Sequence, residues 1–173
     1  MTVNIYDVSN YFLSLAQQEK VRLTNLRMQK LLYYSQGFHL ALHDKPLFDD
    51  EVEAWDFGPV LPRIYFSYQN LVEQSLKAFN AQEKDILSSA IVKLMRGVFH
   101  QYGSYEVWSL LDKKYTETPW SDAYQSECKA VIPLASLKKH FKHRIKAIKN
   151  RTVEDHLEES FKQYGELYDL LAR

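Results

Sequence analysis

The sequence predicts a mainly α-helical fold in one compact domain, with a small β-hairpin-like element around residues 47–57. Three observations predict it. Apolar residues recur at helical spacing along most of the chain. One run, Pro46-Leu47-Phe48-Asp49-Asp50-Glu51-Val52-Glu53-Ala54-Trp55-Asp56-Phe57, gathers β-formers around an acidic turn, too few for a doubly wound sheet. The 173 residues are 46% hydrophobic, with five glycines and five prolines and no low-complexity linker, which suits a single buried core. Residues 1–150 read as that domain, and 151–173 as a C-terminal helix packed on it or extending it.

The elements follow in order. Ile5, Val8, Phe12 and Leu15 are spaced 3, 4, 3 and form one face of a first helix. Thr24 is a suitable N-cap for the second, with Leu23 and Met28 placed as a hydrophobic staple. Its expected buried stripe is Met28, Leu31, Leu32, Ser35, Phe38 and Leu42, and it ends near His43-Asp44. The strand region comes next and is expected to stop at Gly58-Pro59, because Pro59 has no donor for a continuing ladder. Val60 to Tyr68 reads as helix, with Pro62 in its first turn.

Asn70 to Ala81 reads as a connection. Asn80 and Glu83 resemble a capping box for a helix from about Ala81 to Tyr102. Gly103 stops it, and Ser104 caps a short helix through Leu111. Thr118-Pro119 starts a short helix from Trp120 to Glu127. Pro133 opens another, with Leu134, Leu137, Phe141, Ile145 and Ile148 spaced 3, 4, 4, 3. A last helix carries Val153, Leu157, Phe161, Tyr164, Tyr168 and Leu171.

Composition excludes several function classes. The net charge is zero, so no overall field draws the chain to nucleic acid or membrane. One cysteine, Cys128, permits no internal disulfide, and a reducing cytoplasm is the expected setting. Met1 to Asn10 has no basic segment leading into an apolar one, so no signal peptide is expected. No apolar run approaches bilayer-spanning length.

Charge is segregated near the end. Residues 129–151 hold eight Lys or Arg and no acid, and residues 152–173 hold six acids against two bases. Lys138, Lys139, Lys142, Arg144, Lys146, Lys149 and Arg151 form a candidate basic surface for nucleic acid or an acidic partner. The plainer reading is a solvated helix face, partly neutralised by the acidic helix after it and opposite a regular apolar stripe.

Catalytic and metal chemistry finds little support. His39 and His43 are four apart, but the glutamate of a metalloprotease motif does not follow His39. His140 and His143 sit among cations. Cys128 has no histidine partner by motif. Asp49, Asp50, Glu51, Glu53 and Asp56 alternate between strand faces and read as charges protecting a hairpin edge. The five glycines are scattered, so no phosphate loop is present. No catalytic residue, metal ligand or cofactor is assigned.

Several segments together resemble a known family. They are Leu23-Thr24-Asn25-Leu26, Gln29-Lys30-Leu31-Leu32-Tyr33, Gln36-Gly37-Phe38-His39-Leu40 and Ala54-Trp55-Asp56-Phe57-Gly58-Pro59-Val60. They look like the Panacea, or SocA-like, antitoxin domain. Phe99-His100-Gln101-Tyr102-Gly103-Ser104-Tyr105 and Leu110-Leu111 follow in order. Lys114-Tyr115-Thr116-Glu117-Thr118-Pro119-Trp120 then stands where the family has a Thr-His-x-x-x-Pro-Trp-like motif. Tyr115 replaces the histidine frequent there, so no role for that histidine carries over.

The resemblance covers about residues 5–145. It implies a helical domain with a small β element, in a bacterial or phage toxin–antitoxin operon. It implies a cognate toxin as partner, neutralised by direct binding without catalysis. One kind of member instead delivers its toxin to an ATP-dependent protease. A nucleic-acid-binding regulator using helix 134–151 is the further alternative, and a homo-oligomer stays open.

Within this reading Lys30, Tyr33, Trp55, Gly58, Pro59, Val60, Pro119 and Trp120 are signature positions. Trp55 is either a partner anchor or the plug joining the β element to the helices. Gly58-Pro59 is a shaped turn setting the next helix. Lys30 either pairs with an acid of residues 49–56 or presents charge to a partner. Tyr33 and Tyr34, being adjacent, are expected to split, one buried and one exposed. Tyr34, Phe57, Tyr65 and Tyr68 are candidate partner contacts, and Trp120 is a candidate core residue.

Overall fold

Helix α2 (Asn25–His43) lies at the centre of the protein, and the other elements pack around it. The computed structural model describes residues 2–68, 87–103, 119–125 and 128–151. Its elements are α1 (Ile5–Gln18), α2, β1 (Glu53–Trp55), β2 (Gly58–Val60), α3 (Pro62–Tyr68), α4 (Ser89–Tyr102), α5 (Pro119–Ala123) and α6 (Leu134–Arg151). The fold is mainly helical with one two-stranded antiparallel hairpin.

Local chemistry sets the helix starts. Asn4 caps α1 by accepting from Tyr6 N, Thr24 caps α2 by accepting from Arg27 N, and Ser88 caps α4 by accepting from Ile91 N. The α4 helix therefore begins at Ser89, not at Ala81. Gln125 and Cys128 form an isolated bridge beyond α5, so that helix stops at Ala123 and does not reach Glu127. The expected elements over residues 70–86, 104–111 and 152–173 lie outside the described residues.

Alpha1 buries the face its spacing predicts, whereas α6 buries only the middle of its stripe, with Leu134 44% exposed and Ile145 and Ile148 half-buried. Ile5, Val8, Phe12 and Leu15 are buried on α1, and Leu137 and Phe141 on α6. Alpha2 behaves differently, because it meets α1, α3, α4, α6 and β2 on different sides. Tyr33 and Tyr34 are both buried, as are Gln29, Lys30 and Gln36, while Leu42 is only half-buried. The expected single stripe and the expected split of the two tyrosines are thus corrected: neighbours on every side leave α2 no solvent face through its middle.

Alpha6 approaches α2 closely at Gly37, where a Cβ would fall inside the Phe141 ring. That ring meets Phe38, Tyr33 and Tyr34 edge-on at 4.9, 5.6 and 5.9 Å. Tyr34 stacks on Tyr102 of α4 at 4.0 Å, and the Arg144 guanidinium covers both rings at 5.1 and 5.5 Å.

The hairpin sits later than residues 47–57. Beta1 and β2 pair Glu53 with Val60, Ala54 with Pro59 and Trp55 with Gly58. Pro59 is accordingly inside a strand instead of ending one. Ala54 N–H turns away to Ala130 O at 2.8 Å, so the Ala54–Pro59 pair is a non-hydrogen-bonded one and the missing donor costs nothing. Residues 130–132 line the other side of β1, with Ile132 N donating to Val52 O at 2.7 Å. That edge is covered by chain, and the acidic residues do not guard an open one.

Residues 47 and 48 bond to a side chain instead of a strand. Gln36 Oε1 accepts from Leu47 N at 2.7 Å and Phe48 N at 3.3 Å, and its Nε2 donates to Phe48 O at 2.9 Å. Gln36→Leu keeps the volume and strands three buried backbone groups. It is expected to lower stability by about 2 kcal/mol in urea unfolding.

Candidate protein-interaction site

Two polar side chains on α2 seat the hairpin and α3. Gln29 Oε1 accepts from Leu61 N at 2.9 Å, and its Nε2 donates to Asn25 Oδ1 at 2.9 Å. Asn25 Nδ2 in turn donates to Tyr65 O at 2.8 Å. Backbone groups of the signature loop and of α3 are thereby held by fixed amides within the core, so the residues they carry are rigidly placed.

Those residues form an aromatic cluster. The Trp55 ring lies 5.0 Å from Tyr65, 5.7 Å from Phe57 and 5.9 Å from Phe66, and Tyr65 lies 5.5 Å from Phe66. Trp55 is buried at its centre, Tyr65 is half-buried, and Phe57 and Phe66 are 37% and 55% exposed. Lys129 Nζ stands 4.0 Å over the Trp55 ring. Trp55 Nε1 donates to Glu53 Oε2 at 2.7 Å, and Trp120 Nε1 donates to Trp55 O at 2.9 Å. Trp120, half-buried, stacks on Tyr124 at 4.9 Å. The Tyr124 hydroxyl donates to Asp56 Oδ1 at 3.2 Å, a bond that raises its pKa. Pro119 is buried at the start of α5.

The four candidate partner contacts separate. Phe57 and Tyr65 belong to this surface. Tyr34 is interior, stacked on Tyr102, and Tyr68 is buried with its phenol pushed up to about 12 by desolvation. Neither presents a surface, because each points from its helix into the core. Phe66 was not among the candidates, although it is the most exposed ring of the cluster. Adjacent aromatics at positions 65 and 66 of a short helix are the sequence signal for it. Gln29 and Gln36, seven apart on the helix that carries the signature, are the comparable signal for the amide clamps.

Lys30 does not pair with the acids of residues 49–56. Asp49 accepts from Thr2 Oγ1 at 2.6 Å, Asp50 meets Arg63 at 3.3 Å, and Glu53 and Asp56 are held as above. Lys30 is buried beside Gly58, whose φ is +120° and whose absent Cβ would lie 2.6 Å from Nζ. Desolvation by burial pulls its pKa from the ordinary 10.5 to about 8.

The basic helix is partly engaged. Lys138 and Lys142 both reach Asp44 Oδ1 at 2.8 Å, and these lysines hold the Asp44 carboxyl at about 2. Asp44 is the left-handed cap of α2, φ 56°. Arg144 lies on the tyrosine rings, while Lys139 and Lys146 are exposed. The neutralising acid is thus Asp44, while the acidic helix expected after residue 151 lies outside the described residues. His39 and His43 stand 4.6 Å apart, and His39 Nδ1 bonds Lys45 O at 2.9 Å. No group of three or more metal-ligating side chains occurs among the described residues. No described helix is long and apolar enough to cross a membrane. Tyr115 lies outside the described residues.

Comparison with known proteins bears on this arrangement. The family model described as "Antitoxin SocA-like, Panacea domain" matches residues 28–121. That span begins within α2 and ends in α5, so α1 and α6 lie outside it, a narrower range than residues 5–145. Antitoxin SocA of Caulobacter vibrioides (strain NA1000 / CB15N) is 34% identical over 92 residues, covering 50% of this chain and 46% of that protein. The chain therefore spans about half the length of this curated relative. No solved structure matches. The matched span takes in more than half of the chain, with Gln29, Gln36 and the Trp55, Phe57, Tyr65 and Phe66 rings inside it and Asn25, Tyr124 and Lys129 outside, and the chain belongs to the SocA-like antitoxin, Panacea domain family.

Proposed function

We propose that this chain is a non-enzymatic antitoxin that neutralises a cognate toxin by direct protein–protein contact, through the surface formed by Phe57, Tyr65 and Phe66 around Trp55. The observation that carries this reading is a solvent-facing aromatic cluster on a rigid joint. Such rings bury much area while losing little side-chain freedom, and they dominate protein interfaces. The relative's name supplies the antitoxin role, and the bacterial cytoplasm is the setting this implies. Engagement of Lys138 and Lys142 by Asp44 favours a protein partner over nucleic acid.

The test uses the product of the neighbouring gene, expressed alone and with this chain. Rescue of growth and co-purification are expected. Phe57→Ala with Phe66→Ala should weaken the complex by about 30-fold or more, the value of a hot spot near 2 kcal/mol. The melting temperature should fall only by a few degrees, because both side chains are partly exposed and only their packing on Trp55 and Tyr65 is lost. Absence of rescue and of co-purification refutes the reading. Rescue that lowers toxin abundance and disappears in a protease-deleted host replaces neutralisation by proteolytic delivery.

A further inference from the structure

Lys30 is 6% exposed and makes no hydrogen bond or ion pair among the described residues. Buried lysines are ordinarily paired, or else extend the ammonium into water. Of the acids nearest in sequence to Gly58, Asp49, Asp50, Glu53 and Asp56 are held by Thr2, Arg63, Trp55 and Tyr124, and Glu51 is exposed. Fully sealed, unpaired side-chain atoms among the described residues are Ser35 Oγ and Gln101 Oε1. Lys30 Nζ is not one of them, so its tip keeps an opening.

Gly58 shapes that opening. A side chain there would meet Nζ at 2.6 Å, so glycine is what admits the ammonium to the hairpin. Gly58 and Trp55 are direct cross-strand partners, and directly opposed residues project to the same face of a hairpin. The vacant side-chain position above Lys30 is therefore beside the indole and its aromatic rim. An unpaired buried ammonium beside this aromatic rim, whose indole also carries Lys129 Nζ at 4.0 Å, suits a carboxylate oxygen. It lacks the several donors that hold a phosphate.

We propose that Lys30 is the receptor for a carboxylate of the partner protein, entering over Gly58 while an adjoining apolar side chain lies on Trp55, Phe57, Tyr65 and Phe66. This deepens the toxin-binding reading and rests on it. The partner segment then carries an Asp, a Glu or its own C-terminus next to a large apolar residue. Binding it supplies the counter-ion that the described residues do not, so the pair gains from desolvation already accomplished in the free protein.

The full chain with ¹³Cε-labelled lysine is titrated with N-acetyl-L-phenylalanine, with its amide and with inorganic phosphate, followed by NMR. Lys30→Met identifies the Lys30 signal. The acid is expected to move that signal saturably, and Lys30→Met to bind the acid at least about tenfold more weakly, judged by aromatic resonances. The amide and phosphate are expected to leave the Lys30 signal in place. An unmoved signal with the acid, an equal response to phosphate, or unchanged affinity in Lys30→Met overturns the proposal. Binding to the neighbouring gene's product is read separately. Failure of the unmodified chain to bind it overturns the toxin reading, whereas full binding by Lys30→Met overturns only the role of Lys30.

Discussion

Gly37→Ala is expected to destabilise the protein by about 3 kcal/mol, and the loss should vanish when Phe141 is also truncated. The added Cβ falls inside the Phe141 ring. That ring is fully buried and held by Phe38, Tyr33 and Tyr34, so it has no free volume into which to turn. Either α6 moves off α2 or the aromatic layer is forced off its rotamers, which costs about 1–3 kcal/mol or more. Phe141→Ala alone should cost about 3–5 kcal/mol, through lost transfer energy and the cavity left behind. In that background Gly37→Ala fills space and restores helix propensity, worth up to about 1 kcal/mol. The sign of the glycine substitution should therefore reverse. A double-mutant cycle by urea unfolding should give a coupling of about 3–4 kcal/mol. Additive values would show that the two residues do not share one close-packed site.

Lys30→Met is expected to stabilise the protein by about 3 kcal/mol at pH 7. Burial lowers the folded-state pKa from 10.5 to about 8, and each unit corresponds to about 1.4 kcal/mol. Methionine keeps the stem and removes the desolvated charge. The pH dependence carries the sign. Below pH 8 both states hold the proton, and folding bears the whole penalty. Between 8 and 10.5 the folded state releases the proton first and the unfolded state binds more, so stability rises with pH. Wild type should gain on Lys30→Met steadily through that interval and converge with it above. Burial raises the phenol pKa values of Tyr33 and Tyr68, which removes stability as pH climbs past 10. Both proteins contain those tyrosines, so the difference between the two isolates Lys30. A pH-independent difference would refute the assignment. A destabilising charge kept in the fold is the trade expected of the binding group proposed above.

How much was legible in the sequence differs from element to element. Alpha1 and the middle of α6 are readable because each buries one face, so apolar spacing reports geometry directly. The caps Thr24 and the stop after His43 follow from local chemistry. The hairpin was placed too early because Leu47, Phe48 and Val52 have strand composition. Their apolar side chains are core residues, and Gln36, eleven positions away, takes the backbone groups of Leu47 and Phe48. The surface was legible in part: Phe57 and Tyr65 stand in it, Tyr34 and Tyr68 turn inward, and Phe66 and Lys129 complete it.

By itself the sequence determined the helical class, the Thr24 cap of α2, the family signature and the face that α1 buries. The surroundings of α2 were decided by tertiary structure alone. A periodic pattern records which face is buried only while another face is wet, and α2 is enclosed by four helices and a strand. On such a helix a tyrosine, a glutamine or a lysine is placed by what packs against it. Lys30 illustrates the limit: the sequence left open whether it pairs with an acid of residues 49–56 or presents charge to a partner, and in the fold it is buried beside Gly58, twenty-eight residues later, with those acids held elsewhere or exposed.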